Sequence, residues 1–255
     1  MRPTTADPHR SPPLAGGQTA ALQDPEEYFQ QRLGQVIRSG DRILDAGCGT
    51  GKFFSLDFAR EAGCRLFGVD IEEHLKINSC VDFRARGDLK NLPFFDGSFD
   101  VVNCRLVIEH TDAPETALRE FYRVLKPGGR LAILTPNLLH YFGVAASLTP
   151  DWFHVWFNTR VRGFESSDIF PTFYRANTRW RLPALLLKSG FGRVELSMVE
   201  GAPSVLRFNS VLHRLGIAYE RLVKRFEVLS AFRLNIIAIA HKPEENRDHL
   251  RNPKS

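Results

Sequence analysis

The chain has 255 residues, enough for one α/β domain with an ordinary core, so no second domain is required. Its composition, 43% hydrophobic and 25% charged, is that of a soluble globular protein, and no apolar run approaches the roughly 20 residues of a membrane-crossing helix. A net charge of +5 would suit nucleic acid, an anionic membrane surface or an acidic substrate, and does not choose among them.

Residues 1–22 are rich in Pro, Thr, Ala and Gly and hold no apolar run, which reads as a disordered tail and not as a secretion signal. Asp24-Pro25-Glu26-Glu27 then starts a helix, with Asp as N-cap, Pro at the first position and acids in the first turn; it runs to about Arg38. The first strand covers 42–46 and leads through Asp45 into glycines at alternate positions, Gly47, Gly49 and Gly51. Such a turn lets backbone approach a ligand closely, because glycine has no Cβ to block contact. It is neither the dinucleotide fingerprint Gly-x-Gly-x-x-Gly, since position 52 is Lys, nor a P-loop, since no Gly-Lys-Ser/Thr closes it. A helix is expected from about Gly51 to Ala62, and the strand Arg65-Leu66-Phe67-Gly68-Val69 then ends in Asp70-Ile71. A carboxylate at that strand tip, about twenty residues after the glycine loop, can accept hydrogen bonds from both hydroxyls of a ribose.

Farther on come Gly87-Asp88-Leu89, the strand opening Ser98-Phe99-Asp100-Val101-Val102, and Glu109-His110. They are followed by a helix from about Pro114 to Leu125, Lys126-Pro127-Gly128-Gly129, and the strand Arg130–Thr135. A helix capped by Asn177 or Thr178 runs to about Ser189; Arg193–Val199 and Leu234–His241 are the sixth and seventh strands, and 242–255 is a charged tail. Strand and helix alternate, which implies a doubly wound, mostly parallel sheet. Two insertions do not belong to the minimal pattern: 137–176, with aromatics from Tyr141 to Tyr174, and 201–232. The first leaves the carboxyl end of strand five, where it can cover a substrate.

The acid followed by Gly-x-Gly-x-Gly after strand one resembles motif I of the class I S-adenosylmethionine (SAM) dependent methyltransferases. The order of all these motifs over 41–137 is similar to the subfamily containing the ubiquinone and menaquinone methyltransferases. The resemblance implies a Rossmann-like fold of seven strands with flanking helices and a helical, aromatic cap, the whole spanning 23–241. It implies SAM as cofactor, held by Asp45, Gly47, Cys48, Gly49, Gly51, Asp70, Ile71, Asp88 and Leu89, with Asp88 on the adenine amino group and Leu89 against the ring. The quinone O-methyltransferases carry Glu-x-x-Glu-His after strand four, a pattern linked to a metal ion; Leu106 stands at its first position here, so no metal is expected.

His110, just after strand four, is the candidate general base for an acceptor hydroxyl, against the plainer role of capping a helix or shaping the pocket. His140 and His154 are weaker candidates, better read as loop or packing histidines. The four cysteines, Cys48, Cys64, Cys80 and Cys104, form no Cys-x-x-Cys pair, which suits buried free thiols in a reducing, cytoplasmic setting. Cys104-Arg105-Leu106-Val107 replaces the Asn-Pro-Pro-Tyr usual in amino-group methyltransferases of DNA and RNA, so nucleic acid is disfavoured. The expected activity is methyl transfer to a small-molecule or lipid-like acceptor, at oxygen before nitrogen. The alternatives are a SAM-binding regulatory or scaffold protein without turnover, and nucleic-acid or protein methylation.

Within 203–229, Val205, Leu206, Phe208, Val211, Leu212, Leu215, Leu222, Val223, Phe226 and Leu229 recur at helical spacing, between Arg207, Arg214, Arg221, Lys224 and Arg225. The expectation is that this apolar face closes the core or a dimer interface with its arginines solvated. The alternative is a cap meeting a membrane surface, which would make the protein peripheral to a membrane.

Overall fold

The computed structural model describes residues 24–52, 55–149, 159–160, 170–202 and 204–244. The expected N-terminal tail, most of the C-terminal tail, and Trp152, Phe153, His154, Trp156, Phe157 and Phe164 of the aromatic insertion lie outside the described residues. Among the described residues no helix is long and apolar enough to cross a membrane.

Seven strands form one sheet: β1 (Arg42–Ala46), β2 (Arg65–Asp70), β3 (Phe83–Arg86), β4 (Phe99–Arg105), β5 (Leu125–Pro136), β6 (Arg193–Val199) and β7 (Asn235–His241). Their spatial order is β3-β2-β1-β4-β5-β7-β6. The first five are mutually parallel, and β7 lies antiparallel between β5 and β6.

Successive residues of a strand face opposite sides, so a sheet covered on both sides needs apolar residues throughout. Leu44, Val102, Leu131, Ile133, Ile236 and Ala238 face one side, beneath α3 (Pro114–Val124) and α5 (Arg181–Lys188), which add Leu118, Phe121, Leu182 and Leu186. Ile43, Val101, Ala132, Leu134, Ile237 and Ile239 face the other, against Phe29 and Leu33 of α1 (Pro25–Val36) and Ala59 of α2 (Asp57–Glu61). Strand order and two-sided cover make the doubly wound fold, and place the carboxyl ends of β1 to β5 along one edge.

The caps and boundaries differ from expectation in four places. Asp24 caps α1 through Glu26 N and Glu27 N, but the helix ends at Val36. The helix expected from Gly51 begins only at Asp57, whose N–H is taken by Ser55 Oγ. Strand five starts at Leu125, not Arg130: Phe99 pairs with Leu125 and Val101 with Arg130, so Lys126-Pro127-Gly128-Gly129 bulges out between. Before α5, Thr178 Oγ accepts from Arg181 N at 3.1 Å, while Asn177 turns its amide to Thr135 Oγ and Pro136 O at 2.6 and 3.0 Å.

In the cap, α4 (Tyr141–Leu148) follows β5 and α6 (Ser210–Arg225) lies between β6 and β7. The expectation that the apolar face of 203–229 closes the core does not hold. Only Gly216 and Val223 of α6 are buried, while Val211, Leu212, Leu215 and Leu222 are exposed.

Candidate cofactor and acceptor site

The glycine loop leaves β1 with its backbone bound to β2. Gly47 N and Cys48 N both donate to Val69 O, at 2.8 and 3.1 Å, and Gly49 N donates to Asp70 Oδ2 at 2.8 Å. Two of its glycines are required for different reasons. At Gly47 (φ +81°) a Cβ would lie 2.4 Å from Val107 Cγ2, so the protein's own packing excludes a side chain. At Gly49 (φ +49°) nothing among the described residues, its two chain neighbours aside, lies within 4 Å of the position a Cβ would take. The open space beside Gly49 is therefore a cradle that a side chain would fill, bordered by the Asp70 carboxylate.

Asp70 is held from two sides, since Oδ1 also accepts from Glu72 N at 3.0 Å. A carboxylate offers about four acceptor positions, so two are left for ribose hydroxyls. Ile71 beside it is 55% exposed, an apolar surface at the strand tip with no core to cover. Asp88 follows β3, its Oδ1 accepting from Lys90 N at 2.8 Å, and Leu89 packs half-buried against the core. Asp45, Gly47, Cys48, Gly49, Gly51, Asp70, Ile71, Asp88, Leu89 and His110 thus share the carboxyl edge of four adjacent strands. Within this set the loop is hydrogen-bonded directly to Asp70; Asp88 and His110 stand along the same edge.

Asp45 accepts from Asn103 Nδ2 on β4 at 2.7 Å. Burial pushes its carboxyl up to about 6, outweighing the pull of that hydrogen bond and of Arg105. Arg105 is itself committed to Glu26 of α1 at 2.7 Å. Among the described residues the buried Asn103 Oδ1 has no hydrogen-bond partner. A buried carboxylate short of compensation and facing an electropositive ligand would gain on binding what it lacks in the free protein.

Asn78 is the site residue that sequence reasoning missed. It is fully buried, its Nδ2 donates to Cys48 O and Gly49 O at 3.0 and 3.1 Å, and its Oδ1 accepts from Cys80 N at 2.8 Å. It clamps the glycine loop from beneath. Nothing periodic marks Ile77-Asn78-Ser79, so the only signal was a lone asparagine between two elements. Cys48 is a free thiol that burial pushes up to about 12, which makes it a packing residue and not a nucleophile.

On the acceptor side, β4 is followed by Leu106 with φ +53°, and Ile108–His110 form a single 3₁₀ turn. Glu109 is buried; its Oε2 accepts from Thr135 Oγ at 2.9 Å, and Thr135 accepts from Asn177. Burial raises the Glu109 carboxyl above its ordinary value. Its backbone O accepts from Phe173 N and Tyr174 N, pinning the end of the aromatic insertion to this turn. His110 Nδ1 lies 2.9 Å from Pro171 O, and Phe170 meets its ring edge-on at 5.9 Å. A carbonyl oxygen can only accept, so Nδ1 carries the hydrogen and the neutral ring keeps Nε2 as its basic atom. His140 is a helix cap, buried, with Nδ1 accepting from Phe142 N at 3.2 Å.

An open backbone position at Gly49, the carboxylates of Asp45 and Asp70 and the exposed apolar Ile71 along one edge are groups of the kinds that SAM would need. A family model described as a methyltransferase domain matches residues 44–133. A malonyl-(acyl-carrier protein) O-methyltransferase of Pectobacterium atrosepticum is 31% identical over 131 residues, 48% of this chain and 51% of that enzyme. The chain spans about half, or less, of the length of such curated relatives. Among solved structures, that of the (4+2)-cyclase SpnF superposes with a TM-score of 0.57 at 22% identity, over 91% of this chain and 89% of that one, a likeness of fold alone. A probable S-adenosylmethionine-dependent methyltransferase of Mycolicibacterium smegmatis is 31% identical over 188 residues, 64% of this chain and 70% of that protein. The chain belongs to the SAM-dependent methyltransferases of class I architecture, and SAM is the cofactor this membership implies.

Proposed function

We propose that the protein transfers a methyl group from SAM to a hydroxyl oxygen of a small-molecule or lipid-like acceptor, as one domain over 23–241 capped by 137–176 and 201–232. The observation that carries the oxygen assignment is His110, whose Nδ1 is committed to Pro171 O, leaving Nε2 to take a proton. Bound at the glycine loop, SAM would supply an electrophilic methyl on a sulfonium whose charge disperses as the methyl leaves. The chain's own part is alignment and removal of the hydroxyl proton: alignment contributes up to about 7–11 kcal/mol in favourable cases, a base about 10²–10⁴-fold.

Asp70 would hold the ribose hydroxyls, Asp88 and Leu89 the adenine, and Asp45 the amino end. The run of motifs from Asp45 to Gly129 supports kinship with the ubiquinone and menaquinone methyltransferases, from whose pattern Leu106 departs. A lipid-like acceptor is supported by the malonyl-(acyl-carrier protein) enzyme's likeness and by the apolar side chains that the cap exposes, among them Val144, Leu148 and Leu215. The free, buried Cys48, Cys64 and Cys104 support a reducing, cytoplasmic setting.

The test is incubation of cell extracts with the protein and methyl-labelled SAM, with His110→Ala in parallel. The expected result is label in a small or organic-extractable product as a methyl ether or ester, with turnover down about 10²-fold or more in His110→Ala and SAM affinity near wild type. Equal loss of binding and turnover would make His110 a pocket residue. SAM binding without any labelled product would favour the regulatory or scaffold role, and label in polynucleotide or protein would replace the acceptor class.

A further inference from the structure

Helix α6 is firmly seated, yet by the wrong face for a core helix. Its N-terminus is capped by Asn209, whose side chain accepts from Val211 N and Leu212 N at 3.0 and 3.1 Å. Val223 is buried and its carbonyl accepts from the buried Arg233 Nε at 3.2 Å, while Tyr219 donates to Phe232 O at 2.6 Å. At 100° per residue, Val211, Leu215, Leu222 and Phe226 fall within an arc of about 60°, and the buried Gly216 and Val223 lie beside that arc, not in it. The arc points to solvent: Val211 is 64% exposed, Leu215 61%, and Val228, just past the helix end, 83%. Val144 and Leu148 of α4 are exposed as well, and α4 meets α6 through Tyr141 against Tyr219, ring centroids 5.0 Å apart.

The charges flank this stripe. Arg214, Arg221 and Arg225 fall on the side of the arc away from Gly216 and Val223, and Arg207 lies in the 3₁₀ turn before the helix. All four are exposed, and among the described residues none meets a carboxylate. The acids of the segment are already used: Glu220 pairs with Lys224 at 2.7 Å and Glu227 with Arg233 at 2.6 Å. Exposed aliphatic side chains bordered by arginines that meet no carboxylate among the described residues suit an anionic lipid interface, where the stripe enters the acyl boundary and the guanidinium groups remain among the headgroups. A second copy of the chain is a poor occupant, since a two-fold interface would bring the same arginines together.

We propose that α6, with the turn after it and the exposed residues of α4, seats the protein on an anionic lipid surface. This extends the lipid-like acceptor reading to a partner, but it stands on the surface alone and needs no turnover. It is tested by flotation of the full chain with vesicles of phosphatidylcholine alone and of phosphatidylcholine with about one quarter phosphatidylglycerol. The expected result is flotation with the anionic vesicles only, reversed by about 0.5 M salt. The triple variant Arg214→Glu, Arg221→Glu, Arg225→Glu should lose at least tenfold in partitioning. The pair Val211→Asp, Leu215→Asp, both at exposed positions, should abolish it with the melting temperature and SAM affinity unchanged. Binding to neither vesicle, binding indifferent to the charge reversal, or a stable dimer in light scattering that does not float would each overturn the proposal. Loss of methyl transfer with flotation intact would count against the acceptor reading and leave the lipid seat in place.

Discussion

Replacing Asp45 by asparagine should make the free protein more stable and the complex weaker. The folded carboxyl titrates near 6 against an ordinary 3.8, because burial is not repaid by Asn103 and Arg105. Between about pH 4 and 6 the folded state therefore binds the proton more tightly than the unfolded chain. Stability from this group is fully present below pH 4, falls as pH rises to 6, and stays lower above it by roughly 3 kcal/mol, at about 1.4 kcal/mol per pH unit. An amide at 45 keeps an oxygen for Asn103 Nδ2 and offers a donor near Asn103 Oδ1, which has no partner among the described residues. Asp45→Asn should thus match wild type at pH 4 and exceed it at pH 8 by up to about 3 kcal/mol, several degrees in melting temperature for a domain of this size. SAM affinity should drop about 10- to 100-fold, the worth of a hydrogen bond to a charged group. Thermal or urea unfolding from pH 4 to 8, paired with titration calorimetry, measures both. A variant less stable than wild type at pH 8, or one that binds SAM as well as wild type, would refute the reasoning.

Asp70→Ala removes the ribose acceptor and frees Gly49 N, so SAM affinity should fall at least tenfold in calorimetry; unchanged affinity would remove Asp70 from the site. Asn78→Ala leaves Gly49 O and Cys80 N without this partner and Cys48 O with Gly51 N alone, which should cost about 2–4 kcal/mol in urea unfolding and also weaken SAM binding. A loss of stability with cofactor affinity untouched would mean that the loop keeps its shape without the clamp.

Most strands were legible because their signal is local; Phe83–Arg86, short and largely exposed, carries too little of that signal and was not placed. Arg42–Ala46 falls where its apolar run and the glycines after it put it, and Arg193–Val199, an edge strand half-buried for most of its length, falls where alternation puts it. The glycine loop and Asp70 were legible for the same reason: both sit at strand ends, where turn chemistry is written in adjacent residues. What joins distant segments was not. Asn78 beneath the loop, Asn103 beside Asp45 and the Glu26–Arg105 pair each link residues far apart in sequence, and no period announces them. The bulge at Lys126–Gly129 looks like a loop in sequence because its residues are turn formers, yet pairing continues on both sides. In α6 the sequence showed that an apolar face exists; what that face meets depends on how the helix is seated.

The central claim is that the cofactor runs past Gly49, and the most direct measurement is calorimetric binding of SAM to wild type and to Gly49→Asn. Asparagine tolerates a positive φ better than other side chains, and among the described residues no atom beyond the chain neighbours lies within 4 Å of the Cβ position. The variant should keep its melting temperature within a few degrees while SAM binding, one per chain in wild type, becomes undetectable or at least about 100-fold weaker. Equal SAM affinity in the two proteins, or tight binding of NADH with none of SAM in wild type, would contradict it.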